Sequence, residues 1–203
     1  ACFFDFLVDC LLDELEAAAG VTLTNRDSRT NTDALPVAFG PLHDRVLPPE
    51  RGRDRVRAAV DESALRALGP DALRDLYRRV TPRAVRLALG EYYTPRGLAD
   101  VAVADLAVAD PETSVLDPGC GSGAFLTACL DRKRDRMADD PAETVVETAT
   151  DTVVGVDLNP VAVKSSKLAY CAALFDSLAS PAVDEVAVPV FLTDALGLTV
   201  DAT

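Results

Sequence analysis

The chain has 203 residues, 20 of them Lys or Arg and 33 Asp or Glu, giving a formal charge of −13 with a single histidine. That length can bury a core large enough for one α/β domain with a helical extension, while five cysteines at 2, 10, 120, 129 and 171, without CxxC spacing, support neither a zinc site nor a disulfide framework. Arginine outnumbers lysine 17 to 3 in a background rich in alanine, valine and aspartate, a balance that fits a halophilic surface kept solvated by excess acid, or a GC-rich genome, which by itself raises arginine and alanine.

The first element is an amphipathic helix in which Phe3, Phe4, Leu7, Val8, Leu11, Leu12 and Leu15 share a face, with Asp5, Asp9, Asp13 and Glu16 mostly opposite. The acids and the lack of a basic start exclude a signal peptide, and no apolar run reaches membrane-spanning length, so the expectation is a cytoplasmic protein with no membrane partner. Residues 20–54, with Pro36, Pro41, Pro48 and Pro49, read as a long loop that holds His43, a surface residue with no partner in view. Helical patterns return over Val56–Leu68 and Asp71–Leu89, separated by Gly69-Pro70. Residues 1–88 are therefore expected to form a helical N-terminal region, and 89–203 a second domain.

The second domain opens on Gly90, Glu91, Tyr92, Tyr93, Thr94 and Pro95, where Thr94 is expected to cap a helix over 95–109. The N–H groups of its first turn would suit a carboxylate. A strand follows at Thr113–Leu116, then Asp117-Pro-Gly-Cys-Gly-Ser-Gly123 and the opening turns of a buried helix from Ala124. Residues 131–152 read as a charged extension of that helix that loops back. A second strand, Val153–Asp157, is followed by Leu158 and by a helix capped by Asn159 with Pro160 at its first position. A third strand-like run, Val188–Leu192, leads to Asp194.

Alternate glycines at 119, 121 and 123 follow a GxGxG pattern, not the GxGxxG of dinucleotide enzymes, so the glycine used for pyrophosphate is missing. A carboxylate at 117 would repel a polyphosphate but can accept hydrogen bonds from an ammonium group. S-adenosylmethionine carries an ammonium and a sulfonium. A pocket with Asp117, Asp157 and Asp194 suits this cation, with Asp157 on ribose hydroxyls, Leu158 on the adenine face and Asp194 on the adenine amino group.

Together these residues resemble the adenine N6-specific DNA methyltransferases of restriction-modification systems, whether type I modification subunits or combined restriction and methylation enzymes. The resemblance spans roughly residues 88–196. It implies a Rossmann-like α/β methyltransferase fold, here its first three strands, preceded by an α-helical region. It implies S-adenosylmethionine as cofactor, held by Tyr92, Thr94, Pro95, Asp117, Gly119, Gly121, Asp157 and Asp194, and double-stranded DNA as partner, with a specificity or restriction subunit beside it. The family's Asn/Asp-Pro-Pro-Tyr/Phe element, which holds the flipped adenine, is not found before Thr203, and Ala1 is not methionine. The expectation is a fragment carrying the cofactor half with no catalytic residue of its own, its glycine-loop strand left with an open apolar edge and its solubility poor. A methyltransferase for a protein glutamine or an RNA amino group shares much of this pattern, and a non-catalytic DNA- or partner-docking module is a further alternative.

The acidic balance is awkward for a DNA partner, but it is uneven. Residues 45–96 hold 12 arginines against 7 acids, and residues 97–203 hold 6 bases against 18 acids. The basic stretch is a candidate DNA-facing or linker surface; solvated helix faces with intrahelical ion pairs explain it at least as well.

Overall fold

The computed structural model describes residues 2–24, 50–88 and 92–197. Most of the loop expected at 20–54, with His43, lies outside these, as do Gly90 and Glu91. The elements are α1 (Cys2–Ala19), β1 (Thr22–Thr24), α2 (Glu50–Ala59), α3 (Glu62–Arg66), α4 (Pro70–Val80), α5 (Arg83–Ala88), α6 (Arg96–Val103), β2 (Val115–Asp117), α7 (Ala124–Arg136), α8 (Ala142–Thr152), β3 (Val153–Asp157), α9 (Pro160–Ala173), α10 (Phe175–Leu178), β4 (Glu185–Ala187) and β5 (Val190–Leu192).

The architecture is mixed α/β. Strands β2, β3 and β5 form a parallel sheet with β3 in the middle, in register Asp117 to Gly155 and Asp157 to Leu192. A separate parallel pair joins β1 to β4. The described residues thus hold five strands where the sequence suggested three. Strands β1 and β4 have three residues each, too few to reveal a period of two; β2 and β5 are as short but are marked by the glycine turn and by Asp194. The start of the expected long loop is therefore strand, and its end is the first turn of α2.

Other boundaries moved for local reasons. The helix expected over 56–68 breaks at Asp61, whose carboxylate accepts from Ala64 N at 2.8 Å and so starts α3. Thr81-Pro82 divides the helix expected over 71–89. The charged 131–152 stretch holds a helix of its own, α8, which buries Val145, Val146 and Ala149. Asn159 caps α9 as its sequence implied, accepting from Val161 N at 2.9 Å with Pro160 next.

Helix α1 buries Phe4, Val8, Leu11, Leu12 and Leu15 and packs along α9. Each such side chain contributes roughly 1.5–3 kcal/mol. Helix α9 is enclosed almost throughout, and its polar run Lys164, Ser165, Ser166, Lys167 is buried as well. Lys164 Nζ meets that demand by pairing with Asp9 of α1 at 3.0 Å. Tyr170 donates its hydroxyl to Ala149 O at 2.6 Å, tying α9 to α8. One hydrophobic core runs from Phe4 and Leu65 on the near side of residue 88 to Leu126, Val163 and Leu192 beyond it. None of the helices among the described residues is long and apolar enough to cross a membrane.

Candidate functional site

Parallel pairing places the C-terminal ends of β2, β3 and β5 on one edge of the sheet. Asp117 closes β2 and Asp157 closes β3, while Asp194 follows β5 by two residues. Thr193 N donates to Asp157 O at 3.1 Å, holding the β5 exit beside the β3 exit.

The turn from β2 into α7 crosses the end of β3. Cys120 N donates to Val156 O at 3.0 Å, and Gly121 N donates to Asp157 Oδ2 at 2.9 Å. The other oxygen of Asp157 accepts from Asn159 N at 2.8 Å. One carboxylate thus braces the glycine turn and the start of α9, and with about four lone-pair sites it retains acceptor capacity. Gly121 and Gly123 have φ of +55° and +85°, the left-handed region that favours glycine.

The turn is also packed from behind. Ser166 Oγ donates to Gly121 O at 2.9 Å. A Cβ on Gly123 would lie 3.3 Å from Ser166 Cα, and one on Gly121 only 2.9 Å from Tyr93 Cδ1. A Cβ on Gly119, by contrast, would meet nothing within 4 Å. The turn is closely packed at 121–123 and open at 119.

Asp117 is half-buried, and its Oδ1 accepts from Gly119 N at 3.2 Å. Burial pushes its carboxyl above the ordinary 3.8, the neighbouring Asp157 charge adds to the rise, and the Gly119 N–H opposes it. No basic side chain pairs with it among the described residues. The Cys120 thiol is pushed up to about 12 by burial, which keeps it protonated at neutral pH.

Several expected residues stand differently. Thr94 is not the cap of α6: the helix starts at Arg96 after an extended Pro95, with no side-chain cap of its own, and ends at Val103, short of residue 109. Its first N–H is instead satisfied from 25 residues away, Arg96 N donating to Asp71 Oδ1 at 2.9 Å. The carboxylate that this helix terminus invites is therefore supplied, at one N–H, by the protein itself. Tyr92 is 77% exposed, and its neighbour Tyr93 touches the turn. Leu158 is 53% exposed. Asp194 turns to its own chain, accepting from Leu196 N at 2.9 Å.

The sheet edge thus brings Asp117 and Asp157 together around Gly119 and Gly121, with Asp194 adjacent through its backbone. Among the described residues, an open cleft of about 580 Å³ runs along α8 and residues 182–191, and one of about 240 Å³ lies between Arg66, Arg96, Asp131 and Arg134. None of the three acids lines either. Tyr93, Ser166 and Asp71 carry no role in the sequence reading. The buried polar run in α9 is the one signal that could have found Ser166, since four consecutive polar residues in an enclosed helix each need a partner.

Residues 75–170 match the sequence model of the N-6 DNA Methylase family. The match runs from α4 to α9, takes in Tyr92, Thr94, Pro95, Asp117, Gly119, Gly121, Asp157 and Leu158, and leaves Asp194 outside. It supports a relationship of this segment to the adenine-N6 DNA methyltransferases, and with it methyl transfer as the class of chemistry. No match was found among curated proteins or among solved structures.

Proposed function

We propose that this chain binds S-adenosylmethionine at the turn between β2 and α7 and serves methyl transfer to the N6 amino group of adenine in double-stranded DNA, in the cytoplasm, as part of restriction-modification. Asp117 carries the reading: a half-buried carboxylate, raised by burial and by Asp157, with no basic partner among the described residues. Such a group is complementary to a cationic ligand, and the space around Gly119 lets main-chain N–H groups approach one. The family match over 75–170 points the same way.

In this reading Asp117 accepts from the donor's ammonium and Asp157 uses its remaining lone pairs on ribose hydroxyls. Leu158 covers the adenine face, Asp194 accepts from the adenine amino group, and Tyr92, Thr94 and Pro95 border the methionine end. When bound, the donor supplies an electrophilic methyl group. The protein's part is to bind and orient it; the acceptor adenine is held by groups not identified among these residues. A specificity or restriction subunit would select the DNA site.

Calorimetry with S-adenosylmethionine tests the donor site. Wild type should release binding heat, and Gly119→Ala, which fills open space without touching protein, should lose most of the affinity while melting at the same temperature. Absent heat from a folded wild-type chain would remove the proposal.

A further inference from the structure

Residues 76–90 contain four arginines and no acid, in a chain whose net charge is −13. Seven arginines of the wider basic stretch fall into two groups; of the others described, Arg66 pairs with Glu62, Arg86 donates to Thr81 O, and Arg55 of α2 is exposed without an acidic partner among the described residues. Arg53 and Arg57 pair with Asp13 and Glu14 of α1 at 2.8 and 2.7 Å, Arg74 with Asp71 at 2.7 Å, and Arg96 with Asp131 at 2.6 Å. These are neutralised within the fold. Arg78, Arg79 and Arg83 are exposed and have no acidic partner among the described residues.

Helix stability accounts for only part of this. Arg78 and Arg79 lie in the last turn of α4, where a cation favours the exposed carbonyls. Arg83, however, opens α5, which has no acid in its first turn, and a positive charge there is disfavoured. Neither packing nor pairing explains it.

The position of the run adds the second observation. Tyr77 and Tyr93, on either side of it, touch each other with ring centroids 5.6 Å apart, and Tyr93 lies against Gly121 of the glycine turn. A stretch of unneutralised positive charge therefore leaves and returns beside the place where the donor would sit.

We infer that Arg78, Arg79 and Arg83 contact the phosphate backbone of duplex DNA next to the donor turn, a sequence-independent contact that sets the duplex against the site. The inference deepens the proposed function and rests on it for the identity of the polyanion. Exposed guanidiniums without carboxylate partners are the ones that phosphate contact can use, because a paired arginine must first give up its acid.

The test is fluorescence anisotropy of the full chain with a labelled duplex across a series of KCl concentrations, with donor calorimetry in parallel. Changing all three arginines to glutamine should weaken duplex binding by roughly tenfold or more at low salt and make the plot of log K against log salt shallower by about 2–3. The Arg→Lys triple variant, which keeps the charge, should retain most of that slope. Donor affinity should not change in either. Unchanged affinity and slope in the glutamine variant would overturn the inference, as would wild-type preference for single-stranded RNA over duplex, or donor binding without duplex binding. Missing donor heat beside an intact, arginine-dependent duplex slope would sink the donor reading and leave the phosphate contact standing.

Discussion

Gly119 and Gly123 are two residues of one turn with opposite constraints. At Gly123 the φ of +85° and the approach of Ser166 Cα mean that any side chain strains the fold; Gly123→Ala should lower stability by about 1–3 kcal/mol, seen as a fall in melting temperature with or without donor. The Gly119→Ala effect should appear in donor affinity alone. If both variants lose only stability, the turn is a structural device. Asp117 carries a linked pair of predictions. Its folded-state pKa is raised, so the stability it contributes is fully present below the unfolded value and is lost as pH rises through the folded value. Asp117→Asn, which can still accept from Gly119 N, should therefore melt higher than wild type at neutral pH and converge with it in acid. Donor affinity should run the other way, rising with pH across the same window as the carboxylate ionises. The variant should lose about 1.5–3 kcal/mol of donor binding. A variant that neither gains stability nor loses affinity would show that the Asp117 charge is of no consequence.

Among the described elements, α6 has a start that depends on a distant residue. Asp71 caps it from α4 while also pairing with Arg74 at 2.7 Å, so the two helices are held together by one carboxylate. Asp71→Ala should cost about 0.5–2 kcal/mol, measured by denaturant melts, and Thr94→Ala should cost less, because Thr94 caps nothing. The reverse order would restore the cap expected from sequence. That expectation rested on a Thr-Pro pattern which is sound locally, but the chain around Pro95 is extended and the helix begins one residue later than such a cap requires. Elements whose signal is complete within a few residues were legible: α1 from its apolar periodicity, β3 from Val153 to Asp157, and α9 from Asn159-Pro160. Strands β1 and β4 were not, since a three-residue strand is defined by its partner and theirs lies on the far side of the chain.

At the scale of the molecule, the strand that carries the glycine turn sits at the sheet's edge. Strand β2 pairs only with β3 among the described residues, and Leu116 in it is 54% exposed. An open edge with an exposed leucine is a site for self-association. Sedimentation velocity over a tenfold concentration series should reveal association, and Leu116→Lys should reduce it; a wild-type chain that stays monomeric throughout would refute the prediction. The same scale decides the fate of the arginines. From sequence, the stretch 45–96 fitted a set of internal ion pairs at least as well as a DNA-facing surface. The fold divides it: Arg53, Arg57, Arg74 and Arg96 go to carboxylates, and Arg78, Arg79 and Arg83 meet none among the described residues.

The order of strand, glycine turn, helix and second strand with its acid is written in the sequence, because left-handed glycines, Asn-Pro caps and apolar runs act within a few neighbouring residues. The packing against that turn is not. Ser166 reaches Gly121 across 45 positions, Asp71 reaches Arg96 across 25, and Lys164 reaches Asp9 across 155. Such pairs exist only once the chain has closed on itself, since side chains so far apart in sequence become neighbours only through burial of the core between them. Tertiary structure alone therefore decided which carboxylates at the glycine turn, and which arginines, have no side chain of opposite charge among the described residues.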